Sequence, residues 1–322
     1  MCEAETSLLP DVEAQRLSLC ICVPARNEAE RLPAFLEAVA KQDWPGLICI
    51  SIAVNNTTDD SLEKIAVAKA LYADRLDIQV AVADFPAELA HAGSARRLAM
   101  TEGLRHLPNL ETGVLVSSDA DVRPPADWLR NIVAAFVRGA DLVGGKIVID
   151  EEREPLHQRV AALRQAWDDY WTQVREIEDR IDPLDWDPAP RHGDHTGASL
   201  AIRAGLYVAC GGVPLMRTGE DLALVRAAVA KGGRLVHPAD VHVLVSPRTD
   251  GRADGGMAAA MRELSEAAKG AARPMAPAFS HWVERAAWRR KWRQKPDGNG
   301  YIAQHEPSLP AMPHDMPLEH GR

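Results

Sequence analysis

Residues Gly113 to Asp121 read GVLVSSDAD, an apolar run that ends on two carboxylates one residue apart. A run of this length without polar alternation suits a strand buried on both faces. Working outward, the pattern recurs. Leu17 to Ala25 (LSLCICVPA), Ile48 to Val54, Ile78 to Val82 and Leu142 to Ile149 read as further strands. Helical segments separate them. One follows Asn27 as N-cap with Glu30 three residues on, a capping-box spacing, and carries the stripe Leu32, Phe35, Leu36, Val39. Others run from Thr57–Ser61 to about Leu71, from Ser94 to Leu104, and onward from Asp127 or Trp128. Buried strands alternating with helices predict an α/β fold, a Rossmann-like, mostly parallel sheet with helices on both faces. In such sheets ligands bind beyond the carboxyl ends of the strands. The segments to read for chemistry are therefore Pro24 to Glu28, Asn55 to Asp60, Asp84 to Arg97 and Asp119 to Asp121.

The remainder is less regular. Residues 153–180 predict a long charged helix with Leu163, Trp167, Tyr170, Trp171 and Val174 on one stripe, expected to be core or a partner-facing surface. Residues 181–195 form a Pro- and Asp-rich loop, Ala198 to Ile202 a strand, Asp221 to Lys231 a helix, and Arg234 to Val245 strand pairs. The expected organisation is a leader over 1–16, one domain over 17–255 with halves 17–150 and 151–255, a helical extension over 256–295, and a disordered tail over 296–322.

Bulk properties narrow the function. The chain has 322 residues, 46% hydrophobic and 26% charged, with net charge -9. That is ordinary globular composition, and the acidic balance argues against nucleic acid as a partner. Five cysteines without a CxxC pair predict reduced thiols, with Cys20 and Cys22 on one side of a strand. The first sixteen residues have no apolar signal segment, so a cytoplasmic location is expected. His281 to Lys295 mixes three Trp with six Arg/Lys. It reads either as a helix packing its indoles on the domain, the preferred reading, or as a peripheral contact with an anionic inner membrane face.

Asp119-Ala120-Asp121 is the sharpest chemical feature. Two carboxylates at a strand end suit a hard divalent cation that bridges a diphosphate. Gly219-Glu220-Asp221 precedes an apolar helix, and Asp221 reads either as an N-cap or as a general base, with Glu220 supporting it. Asn55 to Ser61 could hydrogen-bond a base and ribose. His91 to Arg97 places Arg96 at a helix start, where a phosphate or ribose fits. Arg248 and Arg252 could clamp a diphosphate, and His242 is a candidate third metal ligand beside a packed-histidine reading. Arg191 to His195 has the look of a metal pair without further ligands, and reads better as the border of an acceptor pocket.

VPARNEAERL (Val23 to Leu32), VNNTTDDS (Val54 to Ser61), SSDADVRPPADWL (Ser117 to Leu129), TGASLAIR (Thr196 to Arg203) and TGEDLAL (Thr218 to Leu224) fall in order along about residues 17–255. Together they resemble the family 2 glycosyltransferases of the GT-A fold. The resemblance implies a nucleotide-sugar donor, Mg2+ or Mn2+, and inversion at the anomeric carbon. By position it implies that Pro24, Ala25 and Glu28 line the nucleoside pocket, and that Asp119 and Asp121 hold the metal, with Asp121 nearer. It implies Asp221 as catalytic base. Asn55 stands where the family commonly has an Asp that reads uracil, so UDP is a preference over GDP. No Q-x-x-R-W segment follows Glu220-Asp221, which points to single transfers onto a small-molecule, glycan or lipid acceptor. A nucleotidyltransferase or a non-catalytic sugar-nucleotide-binding module are the alternatives. The first wants a glycine-rich loop that Pro24 to Arg31 lacks, and the second has no reason to keep all three aspartates. No G-x-G-x-x-G follows a strand, which excludes a dinucleotide-binding dehydrogenase.

Overall fold

The structure, a computed structural model, describes residues 14, 16–249, 256–270 and 274–318. Strands β1 (Ser18–Ala25), β2 (Ile48–Asn55), β3 (Leu76–Ala83) and β4 (Gly113–Ser118) lie parallel in the order β3-β2-β1-β4. Their unbroken apolar character follows from two cores, one on each face. Leu19, Ile21 and Val23 of β1 pack with helices α1 (Leu32–Ala40), α2 (Ser61–Leu71) and α4 (Trp128–Val137). Cys20 and Cys22, on the opposite face, pack against α3 (Ala92–His106), α6 (Ala204–Ala209) and α7 (Glu220–Ala230). Among the described residues the four cysteines are free thiols.

The sheet continues beyond β4 through β8 (Ser199–Arg203), β6 (Leu142–Gly144) and β9 (Leu235–Val236). β8 runs antiparallel to both β4 and β6, so the sheet is mostly, not wholly, parallel. Leu142 to Ile149, read as one strand, is two. The chain breaks at Gly144-Gly145, and β7 (Lys146–Ile149) joins a separate three-stranded sheet with β10 (His242–Val245) and β5 (Val122–Arg123). The cause is steric: a Cβ on Gly144 would lie 2.3 Å from the Asp194 carbonyl oxygen, and one on Gly145 would lie 2.0 Å from Ser199 Oγ. Only glycines let the backbone cross there. Arg234 to Val245 likewise divides between the two sheets and does not form a hairpin.

Two other expectations change. Asn27 does not cap α1, whose N-cap is Arg31, and Asn27 instead takes a left-handed backbone (φ 51) and bonds to a neighbouring loop. The stretch 296–322, expected without structure, carries α10 (Gly298–His305) and β12 (Met316–Pro317), which pairs with β11 (Met275–Ala276). Its apolar residues are too sparse to show a period, yet Ile302 and Leu318 are buried and Tyr301 stacks on Trp292 at 3.9 Å. The long helix α5 (Gln158–Ile181) and α9 (Phe279–Arg293) pack together through Tyr170, Trp171, Phe279 and Trp282. Two of the basic residues of α9 are used in that seam: Arg289 meets Glu178 at 2.6 Å and Arg293 meets Asp182 at 2.8 Å. Among the described residues no helix is long and apolar enough to cross a membrane.

Gly145→Ala should therefore destabilise the protein by about 1–3 kcal/mol, the usual cost of forcing extra volume into a packed site. A urea-unfolding midpoint equal to wild type would show that the crossing tolerates a side chain.

Candidate active site

The carboxyl ends of β1, β2 and β4 converge with the N-termini of α3 and α7, and Arg96 sits at the junction. It follows the turn that opens α3, where the His91 ring accepts from the Ser94 N–H and Gly93 backs onto Met216, leaving no room for a Cβ. The Arg96 guanidinium is 5% exposed. Its Nε donates to Glu220 Oε1 at 3.0 Å and its Nη2 to Asp119 Oδ1 at 2.9 Å, while its Nη1 donates to Ser117 Oγ and to the Gly197 carbonyl. Four of its five N–H donors are thus committed to protein acceptors. Burial opposes the charge, but Asp119 and Glu220 outweigh it and hold the arginine above its usual pKa. One N–H is left over for the phosphate or ribose read for this residue. Arg96 also ties the Asp-Ala-Asp strand end to the start of α7, with Glu220 as its counter-ion.

Asp121 lies beside Asp119 and forms an ion pair with Arg248 at 2.5 Å. Burial first, then the Asp119 charge, push the Asp121 carboxyl up, against the pull of Arg248 and Arg31. Two adjacent carboxylates, with the Asp121 carboxyl pushed up by burial and by its neighbour's charge, are the donor chemistry a hard divalent cation stabilises, so these residues fit Mg2+ or Mn2+. His242 is not brought to them. On β10 it pairs with Lys146 of β7, three residues up the strand from Val245, which pairs with Val122; that is roughly 10 Å away at the usual strand rise. Among the described residues no group of three or more His, Cys, Asp or Glu assembles as a metal site. Of the two arginines read as a diphosphate clamp, Arg248 reaches the site, and Arg252 lies outside the described residues.

Pro24, Ala25, Glu28 and Asn55 gather at the adjoining ends of β1 and β2, where Ala25 pairs with Val54. The two loops that follow are stitched together. Asn27 Oδ1 accepts the Thr58 N–H at 2.7 Å, the Glu28 N–H donates to Ser61 Oγ at 2.8 Å, and the Ala29 N–H donates to Asp59 Oδ2 at 3.0 Å. Asn55 is buried and donates to Asn56 Oδ1, while Asn56 Nδ2 reaches the Phe85 carbonyl. This corner is thereby held in place by hydrogen bonds between the two loops.

Asp221 faces the other side. Its Oδ2 accepts the Gly197 N–H at 2.8 Å and its Oδ1 accepts the Leu222 N–H at 2.7 Å. Gly219 is the N-cap of α7, so Asp221 is not the cap but the second residue of the helix, and its carboxylate anchors the Gly197 loop. Two residues before Gly197 begins a chain of side chains that the sequence does not announce. His195 Nδ1 lies 3.2 Å from His237 Nε2, and His237 Nδ1 lies 2.8 Å from Asp187 Oδ2. Asp187 and His237 are fifty residues apart, and neither sits in a recognisable motif. Arg31, whose charge acts on Asp121, also went without a role. His192 accepts the Asp194 N–H through Nδ1, so the loop Arg191 to His195 does not form a metal pair.

Two outcomes follow. Arg96→Lys replaces a fork by a single ammonium, and should lower the melting temperature and leave Asp119 and Glu220 without their shared partner. Burial, then His237 and Arg175, push His195 down to about 4 from 6.5. The folded state keeps it neutral, so stability is present above pH 6.5 and is lost as pH falls through 4. The loss by pH 4 is on the order of 3 kcal/mol. His195→Gln should flatten the profile of urea midpoints between pH 7 and pH 4.

A family model for glycosyl transferase family 2 matches residues 20–180. No curated protein matches the chain. Among solved structures, residues 1–349 of TarS from S. aureus in complex with UDP-GlcNAc are 14% identical, with 90% of this chain and 78% of that chain covered and a TM-score of 0.50, which shows a shared fold. The mannosyltransferase PcManGT from Pyrobaculum calidifontis, in complex with GDP-Man and Mn2+, is 15% identical, with coverages of 90% and 79% and a TM-score of 0.48. Glucosyl-3-phosphoglycerate synthase from Mycobacterium tuberculosis, in complex with phosphoglyceric acid, is 13% identical, with coverages of 84% and 86% and a TM-score of 0.43.

Proposed function

The chain belongs to the family 2 glycosyltransferases, and from that premise we propose that it transfers one sugar from a nucleoside-diphosphate sugar to an acceptor hydroxyl with inversion. The observation that carries this reading is the Arg96 bridge. It joins the end of β4, with Asp119 and Asp121, to the start of α7, with Glu220 and Asp221. A donor-side pair of carboxylates and an acceptor-side carboxylate are thereby held at fixed separation across one cleft, as a single displacement requires.

In this reading the nucleoside lies in the corner built by Pro24, Ala25, Glu28 and Asn55, and UDP is preferred over GDP. Asp119 and Asp121 hold Mg2+ or Mn2+, which when bound supplies positive charge to the diphosphate. Arg248 stands ready beside Asp121 to meet a phosphate. Asp221 takes the proton from the acceptor hydroxyl. The freed oxygen forms a bond to the anomeric carbon as the bond to the diphosphate breaks on the opposite face, and the nucleoside diphosphate leaves with that electron pair. Glu220 keeps Arg96 in place and does not touch substrate.

Asp121→Ala should abolish Mn2+-dependent binding of UDP and GDP in calorimetry; binding as tight as wild type would remove the donor-site assignment. Asp221→Asn should bind the nucleotide normally but release nucleoside diphosphate from a nucleotide-sugar panel roughly 10²–10⁴-fold more slowly, the span expected for a lost general base. Turnover at the wild-type rate would place the base elsewhere. Tighter binding of GDP than UDP in the same titrations would reverse the base preference.

A further inference from the structure

A cavity of about 750 Å3, a size typical of small-molecule sites, lies outside the donor corner. It is lined by Lys146 of β7 and by residues of α5 and of the helix α8 (Met257–Lys269). The loop Arg191 to Asp194 lines it as well. Asp194 fixes that loop by accepting the Ile147 N–H at 3.0 Å. Three residues further on, the Gly197 N–H donates to Asp221. Three residues span at most about 10 Å, so with that 2.8 Å hydrogen bond the Asp194 end of the lining lies within roughly 13 Å of the Asp221 carboxylate.

The walls have a definite chemistry. Trp167 and Trp171 of α5 line one side, and Trp171 stays 41% exposed although it sits in a concavity. An exposed indole in a cleft is apolar surface awaiting cover. The charged groups around it are already balanced. Arg164 pairs with Asp168 at 3.2 Å, Arg175 with Glu178 at 2.6 Å, and Arg191 with Asp179 at 2.7 Å. Lys146 and Glu263 add one charge of each sign, without an ion-pair partner among the described residues. A strongly anionic ligand would have to compete with these carboxylates for every guanidinium, and a purely apolar one would bury the ion pairs without hydrogen bonds. A neutral saccharide meets both conditions. Its C–H face covers the indole, and its hydroxyls both donate and accept.

We infer that this cavity binds a neutral saccharide unit of the acceptor, stacked on Trp171, with the reacting hydroxyl directed along the Asp194 to Gly197 segment toward Asp221. Only the word acceptor rests on the glycosyltransferase reading; the cavity's preference for a neutral sugar does not.

Saturation-transfer NMR and tryptophan fluorescence on the full chain test it, using cellobiose, maltose and di-N-acetylchitobiose against glucose 6-phosphate and glucuronate. At least one neutral disaccharide should bind. Trp171→Ala should weaken it about tenfold, the worth of one stacking contact, and Ala260→Trp, a change at an exposed position on the rim, should block it. Calorimetric binding of UDP or GDP with Mn2+, measured in parallel, should be the same in both variants and wild type. Absence of neutral-sugar binding, tighter binding of the anionic sugars, or indifference to both substitutions would overturn the inference. Loss of nucleotide binding by the wild type would instead count against the donor reading and leave the cavity result standing.

Discussion

One buried guanidinium organises the site. Arg96 is taken out of water at a cost of several kcal/mol, which only its two carboxylates and two oxygen acceptors offset. That requirement reaches into the sequence at distant points. Asp119 must end β4, Glu220 must open α7, and Ser117 must point inward from the strand. Residue 197 must be glycine, because a Cβ there would lie 2.3 Å from the guanidinium carbon. Gly219, at φ 73, supplies the left-handed turn that delivers Glu220 and Asp221 to the cleft. The short motifs around these residues are therefore one electrostatic assembly.

Much of the fold was legible because both faces of the central sheet are buried. That produced the unbroken runs of β1, β2 and β4 and the striped helices between them. The Asp-Ala-Asp pair and Glu220-Asp221 were legible for a related reason, since each stands at an element end where a carboxylate has somewhere to act. What was hidden depended on contacts across the sequence. The split at Gly144-Gly145 is caused by Asp194 and Ser199, some fifty residues away, and no local pattern carries it. The bridging role of Arg96 was hidden because its partners come from three separate segments. His242 reads as a candidate ligand because it precedes the loop of Arg248 and Arg252, but register puts it beside Lys146. The Asp187–His237–His195 chain has no local signature at all, since its members meet only through the packing of the loop 181–195.

The C-terminal elements form a second electrostatic layer with its own logic. Glu178 of α5 is 3% exposed and is shared by Arg175, Arg191 and Arg289. Those arginines come from α5 itself, from the loop that lines the cavity, and from α9. The carboxylate thus links the outermost helix to the cavity wall through direct ion pairs. A charged face of α5 that would pass for a solvated surface in the sequence is a buried seam.

The antiparallel strand β8 has a consequence for how such a chain can be divided. It is contributed by residues 199–203 yet lies between β4 and β6, both formed far earlier. Cutting the chain after residue 150 would remove a central plank and expose hydrogen-bonding edges on both β4 and β6. The two halves cannot be exchanged as modules or expected to fold in sequence. The sheet closes only when the later segment has threaded into the earlier one, so the two portions of the chain are inherited, and lost, together.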